Sequence, residues 1–353
     1  MKNVKENRHM RMGVIAVIAV FVFAVVAAAV LLGVFLPVHG NQNDSEYWSE
    51  YDEFDVSKLD TIEVEGDEFK ILQLTDLHYH LPHKTKETDN IVTTLVEEND
   101  PDMIVITGDS VFNPSNIMYT KHVAELMDSF EIPWAIVYGN HDDEGKADKY
   151  WMGEVYENSQ YGLYHNGPFN IGGVGNYAVN LTKDGQPYYS VIMMDSNRVT
   201  QIDGVNEYGS FTPSQVLWYE WLQRGLIQAG YEHSLMFFHI PFEEYRLAYE
   251  EWEEGGFDEN VGFGVKEEDV CCAPYNPGMF TKIKELGATT HTFAGHDHVN
   301  AYSVDYQGVR LTYGLKSSRQ FYYSEELVGG TLITLKGDTG NVSVDIEYKY
   351  VQL

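Results

Sequence analysis

Five short segments of this 353-residue chain carry carboxylate, amide or imidazole side chains directly after apolar runs. Such a mixed set of donors suits divalent ions such as Zn²⁺, Mn²⁺ or Fe²⁺, whereas an all-oxygen set would suit Ca²⁺ or Mg²⁺. Seven candidate ligands are more than one tetrahedral ion can use, so two ions that share a carboxylate fit better. The candidates are Asp76, His78, Asp109, Asn140, His239, His296 and His298.

The elements that must position these ligands alternate between strand and helix in the first half of the chain. Residues 69–75 and 103–107 are predicted as buried strands, and residues 90–99 as the helix between them. Strands become more frequent later, and this order predicts an α/β fold, which we expect to be a four-layer α/β/β/α sandwich of two mixed sheets flanked by helices. Ligands that follow the carboxyl ends of adjacent strands can converge on one crevice. Further elements are predicted as helices at 116–130 and from 213, and as strands at 134–138, 188–194, 234–238, 290–293, 309–313, 331–335 and 342–348.

The five segments also follow a recognisable order. They read D-L-H from Asp76, G-D at Asp109, G-N-H-D around Asn140, a lone His239, and G-H-D-H from Gly295. This series resembles the pattern D-x-H, G-D, G-N-H-[DE], H and G-H-x-H of the calcineurin-like metallophosphoesterases. Each block alone is a weak signal, but five in series after predicted strands are a strong one.

A finer resemblance is to the Dcr2-like phosphatases, which are related to the purple acid phosphatases. It is carried by the stretches His239-Ile-Pro-Phe, Tyr275-Asn-Pro-Gly and Gly295-His-Asp-His. True purple acid phosphatases have a tyrosine ligand three residues after the shared aspartate, where this chain has Phe112, and they tend to lack the histidine that is present here as His78. We therefore expect no purple colour from a phenolate-to-iron charge transfer.

The resemblance implies a dinuclear centre of two divalent ions, Mn, Zn or Fe, in which Asp109 bridges. Two ions about 3.5–4 Å apart can clamp a phosphoryl group and generate a hydroxide from bridging water near neutral pH. By resemblance, the first ion is held by Asp76, His78, Asp109 and His298, and the second by Asp109, Asn140, His239 and His296.

Two residues after Asn140 are candidates for catalytic roles. His141 is left without a ligand role, and an imidazole is suited to protonate a departing alkoxide, so we take it as the candidate general acid. Asp142 could orient that imidazole, or it could instead cap the loop.

An apolar run near the N-terminus predicts a membrane segment. Residues 13–38 contain no charged side chain and exceed the roughly 20 residues that a spanning helix needs. The basic stretch at 1–12 precedes this run, and the positive-inside rule then predicts a signal anchor with a cytoplasmic N-terminus and an extracytoplasmic remainder. A cleaved signal peptide, which would release a secreted protein, is the alternative. We expect residues 39–62 to be an acidic linker and residues 63–353 to be the metallophosphoesterase domain.

Acidic residues dominate the composition, with 54 Asp and Glu against 23 Lys and Arg and a formal net charge of −31. We expect no nucleic-acid partner, because phosphate backbones are neutralised by clustered Lys and Arg. Two metal ions can still make the site locally positive, so this charge is compatible with a phosphate substrate. The two cysteines, Cys271 and Cys272, are adjacent and cannot form a disulfide framework. We expect buried thiols, with a vicinal or intermolecular bridge as the alternative.

The sequence thus predicts a membrane-anchored, extracytoplasmic phosphoesterase that hydrolyses phosphate esters, phosphomonoesters first, by attack of a metal-bridging hydroxide. One alternative is a binding or sensor module that keeps the metal site without turnover. The other is a phosphodiesterase or pyrophosphatase that acts on lipid-linked or nucleotide substrates.

Overall fold

The computed structural model describes residue 23 and residues 36–80 and 84–351. Most of the predicted membrane segment, 13–38, and the basic stretch at 1–12 lie outside these residues. Among the described helices, none combines the length and the apolar character needed to cross a membrane. Residues 39–353 form one compact unit, to which the following description refers.

The described part of this unit contains fifteen strands and six α-helices. The strands are β1 (Asp60–Glu63), β2 (Glu68–Leu74), β3 (Met103–Thr107), β4 (Trp134–Val137), β5 (Tyr177–Lys183), β6 (Gln186–Met193), β7 (Val199–Ile202), β8 (Val205–Tyr208), β9 (Ser234–Phe237), β10 (Gly262–Lys266), β11 (Thr289–Ala294), β12 (Asn300–Tyr306), β13 (Val309–Tyr313), β14 (Gly329–Asp338) and β15 (Asn341–Tyr350). The helices are α1 (Thr85–Asn99), α2 (Asn116–Asp128), α3 (Lys149–Glu157), α4 (Pro213–Gln228), α5 (Glu244–Glu254) and α6 (Met279–Leu286).

Two mixed sheets form the centre of a mixed α/β sandwich. The smaller sheet has the order β15-β14-β2-β3-β4, and the larger has the order β1-β5-β6-β9-β11-β13-β12-β10. Strands β2, β3 and β4 are parallel to one another, as are β6, β9 and β11. The sheets contact each other directly, since Gln73 of β2 donates its side-chain amide to the backbone oxygen of Ala294 in β11. Helix α1 packs on the smaller sheet, and α5 and α6 pack on the larger one.

Local sequence explains the elements nearest the ligands. Strand β3 reads Met-Ile-Val-Ile-Thr and is buried along its whole length, which is typical of a parallel strand covered on both faces. Helix α4 begins with a capping box, because the side chains of Thr212 and Gln215 bond reciprocally to each other's backbone and Pro213 occupies the first turn. Strand β3 thus forms from a short apolar run, and the start of α4 is set by its own capping residues.

Residues 39–62, which were expected to be an acidic linker, instead pack against the domain. Trp48 belongs to the buried core, and Phe54 lies edge-on to Trp221 of α4 with ring centroids 5.4 Å apart. Strand β1 pairs in parallel with β5 and extends the larger sheet. The segment is acidic, but its aromatic and aliphatic side chains supply enough apolar surface to hold it on the domain.

Candidate metal centre

The predicted ligands follow strands that are parallel to their neighbours within each of the two sheets. Asp76 follows β2, Asp109 follows β3, and Asn140 follows β4, while His239 and His296 follow β9 and β11. The carboxyl ends of these strands meet where the two sheets face each other. The ligand segments from both sheets therefore reach one site.

The backbone of these segments is unusual. Asp76, His78, Asp109 and His296 all have positive φ values, 55°, 48°, 48° and 80°. Non-glycine residues adopt this left-handed conformation rarely and at a cost, and such residues cluster at functional sites. Four strained residues in one cluster indicate that the surrounding fold holds these side chains in place.

Close packing of the motif loops explains two of the glycines. A Cβ atom at Gly139 would overlap the side chain of Asp109, and one at Gly295 would overlap the hydroxyl of Thr75. The loops after β4 and β11 can thus approach the loops after β3 and β2 only because these positions lack a side chain.

The first ligand group consists of Asp76, His78 and His298, all of which are buried. The two imidazole Nε2 atoms lie 2.9 Å apart. The Oδ1 atom of Asp76 is 3.5 Å from Nε2 of His78 and 3.3 Å from Nε2 of His298. These three atoms therefore point at one place.

The second group adds Asp109 and His239 to Asp76. Nε2 of His239 lies 3.3 Å from Oδ2 of Asp109 and 3.2 Å from Oδ1 of Asn140. The same Oδ2 atom of Asp109 is 3.6 Å from Nε2 of His78. Asp109 thus lies between the two groups, where a bridging carboxylate would have to be.

His296, the remaining predicted ligand, packs edge-on against His239 with ring centroids 5.1 Å apart. Its Nε2 atom is buried without a hydrogen-bond partner, as is Oδ1 of Asp76. Unpaired polar atoms in the protein interior are costly, and a coordinated cation is one way to satisfy a carboxylate or imidazole. The orphaned atoms and the mixed donor set therefore fit a centre of two divalent ions.

Hydrogen bonds outside the ligand set orient the imidazoles. Nδ1 of His239 lies 2.8 Å from the backbone oxygen of Thr107, and Nδ1 of His298 lies 3.0 Å from that of Tyr322. A proton on each Nδ1 would donate to the carbonyl and leave Nε2 as a lone pair for a metal. The fold thereby selects the tautomer that can coordinate.

Charges in this cluster are strongly coupled. Burial opposes ionisation of Asp109, but the imidazoles of His239 and His78 outweigh it and hold the pKa of this carboxyl well below its usual range. Burial likewise opposes protonation of His239, yet the Asp109 carboxylate raises the pKa of this imidazole to about 9. Burial, with the charge of His239, lowers the pKa of His296 to about 3. The site is therefore built around ionised carboxylates.

The structure separates the roles expected of His141 and Asp142. His141 lies at the edge of the centre, with its side chain about one-third exposed, and its Nδ1 atom is 3.0 Å from Oε2 of Glu144. Asp142 does not touch this imidazole: its Oδ2 accepts hydrogen bonds from the backbone of Asp109 and Gly139 at 3.0 and 2.6 Å. Of the two roles expected of Asp142, the structure therefore favours the loop role, since its carboxylate ties two ligand loops together and Glu144 is the carboxylate beside His141.

Sequence reasoning missed a buried lysine beside the centre. Lys316 is buried, and its Nζ atom donates to the backbone oxygen of Asp76 at 3.0 Å and lies 3.5 Å from Nε2 of His298. Burial lowers the pKa of this lysine to about 8. Its position shortly after β13 is a signal of the kind that identified the ligands, but a lone lysine has no motif around it.

A cleft of about 280 Å³ opens on the His141 side of the centre, beside the β7–β8 hairpin. We call it the charged cleft. Arg198 pairs there with Glu144 at 3.1 Å, and Tyr208 lies edge-on to His296 with ring centroids 4.8 Å apart. The charged cleft is lined by Asn140, Glu144, Arg198, Val199, Asn206, Glu207 and Tyr208.

Comparison with known proteins supports the same interpretation. The calcineurin-like phosphoesterase family model matches residues 69–300. Among relatives, a probable inactive purple acid phosphatase 14 of Arabidopsis thaliana is 28% identical over 289 residues, which is 69% of each chain. Phosphatase DCR2 of Saccharomyces cerevisiae is 28% identical over 68% of this chain and 46% of its own. A dimetal phosphatase structure from Danio rerio aligns over 80% of this chain and 99% of that one, with 12% identity and a TM-score of 0.49. Because the family match extends across all the segments that supply the ligands, this chain belongs to the calcineurin-like phosphoesterases and is a metal-dependent phosphoesterase.

Proposed function

We propose that this chain hydrolyses phosphomonoesters at a centre of two divalent ions, with His141 as the general acid. The observation that carries the proposal is a pair of buried ligand groups that have Asp76 in common, with the Asp109 carboxylate between His78 and His239 and the partly exposed imidazole of His141 beside them. The first ion would be held by Asp76, His78, Asp109 and His298, and the second by Asp109, Asn140, His239 and His296.

When bound, the two ions would stabilise negative charge on the phosphoryl oxygens and acidify the attacking water. The chain's own residues supply the remaining steps. His141 donates a proton from Nε2 to the departing alkoxide oxygen, while Glu144 holds Nδ1 and orients the ring. The backbone N–H of His141 donates to Oδ1 of Asp109 at 2.8 Å, which ties the acid to the bridging ligand.

The full-length protein in detergent, supplied with Mn²⁺, Zn²⁺ or Fe²⁺, provides the test. Its activity is measured against a monoester, a diester and inorganic pyrophosphate, alongside an Asp109→Asn variant. We expect the monoester to be the best substrate and the variant to lose both activity and metal. Two bound ions with no hydrolysis of any ester would contradict the proposal and favour a binding module, a reading to which the relative named as probably inactive lends weight.

The location is a separate proposal. Residues 13–38 are uncharged and follow a basic stretch, which supports a membrane anchor with the catalytic domain on the extracytoplasmic side. Protease added to intact host cells should then digest residues 63–353, and protection of these residues would contradict this topology. N-terminal sequencing of the mature protein distinguishes an uncleaved anchor from a cleaved signal peptide.

A further inference from the structure

Three aromatic side chains stand beside the metal centre and are not among the residues that line the charged cleft. Phe112 follows β3, while Phe321 and Tyr322 lie in the segment between β13 and β14. We propose that Phe112, Phe321 and Tyr322, here called the aromatic wall, bind the organic group of the substrate, and that the substrates are phosphate esters whose alcohol carries an aromatic ring. This proposal rests on the proposed function and names its substrate class.

The aromatic wall is in contact with the ligand shell. The ring of Phe321 lies with its centroid 5.0 Å from that of His78 and 4.6 Å from that of Phe112. The ring of Tyr322 stacks on His298 at 4.2 Å. A group bound on the wall would therefore be adjacent to a phosphoryl group held at the centre.

The wall is also open to solvent. Phe321 is 47% exposed and Tyr322 is 53% exposed, although both lie against buried ligands. Large apolar surface left open beside a reactive centre is typical of binding sites, because covering it is favourable when a ligand arrives. Aromatic pairs with centroids 4.5–7 Å apart are attractive beyond the area they bury, so an aromatic ring gains more here than an alkyl chain of equal size.

Phe321 has a positive φ of 56°, which is strained for a bulky residue. That strain alone does not mark a site, because the 42% exposed Phe257 has a φ of 57°. Phe257 lies just beyond the end of α5, where its N–H bonds the backbone oxygen of Trp252 as part of the helix terminus. Phe321 ends no helix, and its ring packs on a metal-ligand imidazole.

The position of the general acid indicates which part of the substrate meets the wall. The ring of His141 lies 4.9 Å from that of Phe112, and it protonates the oxygen of the leaving alcohol. The rest of the alcohol must extend from that oxygen. Toward the charged cleft it would meet Glu144 and Arg198, whose charges an apolar group would desolvate without compensation. Toward Phe112 and Phe321 it meets aromatic rings.

Three esters with alkoxide leaving groups of similar basicity test the proposal: ethyl, 2-cyclohexylethyl and 2-phenylethyl phosphate. We expect kcat/KM to rise in this order for the metal-loaded full-length protein. Phe321→Ala should lower the ratio of kcat/KM for the phenylethyl ester over the ethyl ester about tenfold. Phe257→Ala is the matched control, since it removes an equally exposed, equally strained phenylalanine, and it should keep the wild-type ratio.

Binding of non-hydrolysable 2-phenylethylphosphonate and ethylphosphonate, measured by calorimetry, separates this proposal from the function on which it rests. If the aromatic phosphonate binds more tightly but none of the three esters is hydrolysed, the proposed role of the wall is correct and the proposed hydrolase activity is not. Hydrolysis of all three esters with equal kcat/KM would contradict the proposed role of the wall but would remain consistent with the proposed hydrolase activity. An equal loss on every ester in Phe321→Ala, together with lost metal, would also overturn it, because Phe321 would then only shield His78.

Discussion

Two surfaces of different chemistry lie beside the metal centre. The aromatic wall offers Phe321 and Tyr322 to solvent and contacts His78 and His298. The charged cleft contains the Glu144–Arg198 ion pair beside His141. Each surface combines a ligand-bearing loop with a second segment: Phe112 of the wall follows β3 and the rest lies in the β13–β14 connection, while Glu144 of the cleft follows β4 and most of the rest lies in or next to the β7–β8 hairpin.

We expect the buried ligands to govern the rate of hydrolysis and the two flanking surfaces to govern which esters are preferred. The buried ligands at the strand ends are shared by every substrate, so changes there should affect all esters alike. The two flanking surfaces each meet one part of the substrate, so changes there should alter preference more than rate. Loops on a rigid scaffold can vary in this way without disturbing the centre.

The largest effect is expected at Asp109, the proposed bridging ligand. Asp109→Asn removes the carboxylate that lies 3.6 Å from His78 and 3.3 Å from His239, and loss of several kcal/mol of charge stabilisation corresponds to about a thousandfold or more in kcat/KM. The loss should be equal for ethyl and 2-phenylethyl phosphate, with metal content measured in parallel. The exposed Asp345→Asn is the control, and a loss confined to one ester would contradict a shared centre.

The next effect concerns His141, the proposed general acid, which contacts both Glu144 and Phe112. His141→Ala should slow ethyl phosphate about a hundredfold, because its alkoxide needs a proton, and should slow p-nitrophenyl phosphate much less. Steady-state kinetics on the two esters give the comparison. Equal losses on both would remove His141 from the role of general acid.

A smaller effect is expected at the charged cleft, where a substitution should change the preference for anionic substrates and leave the preference for aromatic ones unchanged. Arg198→Ala removes the cation of the charged cleft, and charge-assisted contacts at a partly exposed site suggest about a tenfold higher KM for substrates with a second anionic group, such as pyrophosphate. The ratio of phenylethyl to ethyl ester should stay unchanged. Arg224→Ala, which breaks an exposed helical pair with Glu220, is the matched control. A shift in the aromatic preference instead would mean that the two surfaces are not separate.

The smallest effect concerns Asp89, which binds the hydroxyl of Tyr79, the residue whose backbone oxygen accepts a hydrogen bond from the N–H of Phe112. Asp89 accepts hydrogen bonds from Tyr79 and His122 at 2.7 and 2.8 Å, and this contact raises the pKa of His122. A raised folded-state pKa stabilises the protein below the unfolded value of about 6.5, and that stability is lost as pH rises through the folded value. Urea unfolding should show a loss of less than about 1 kcal/mol between pH 6 and 8 that His122→Gln removes. An identical pH dependence in the variant would contradict this assignment.

The candidate ligands could be predicted to converge because each motif is local. A short apolar run determines the strand, and the next few residues supply the ligand, so both signals lie within one segment for Asp76, Asp109 and Asn140. The parallel strands then bring these segments to one edge. Local patterns likewise predicted the strand and helix order around them.

Other features depend on contacts between residues far apart in the chain. Nothing near Asp142 indicates that its carboxylate would bind the loop of Asp109 and leave His141 to Glu144. The packing of residues 39–62 was hidden by their acidic composition, because burial of Trp48 depends on where α4 lies. The aromatic wall requires Phe112 and Phe321 to meet across the site.

By itself, the sequence determined the family pattern, the seven candidate ligands and the candidate acid, because backbone direction and ligand chemistry are properties of short segments. Only the tertiary structure decided which surfaces flank the centre, that Asp142 binds the loop of Asp109, and that Lys316 lies buried against the ligands. Those features arise from packing between distant segments, where the energy of a contact depends on what the rest of the fold places opposite each side chain.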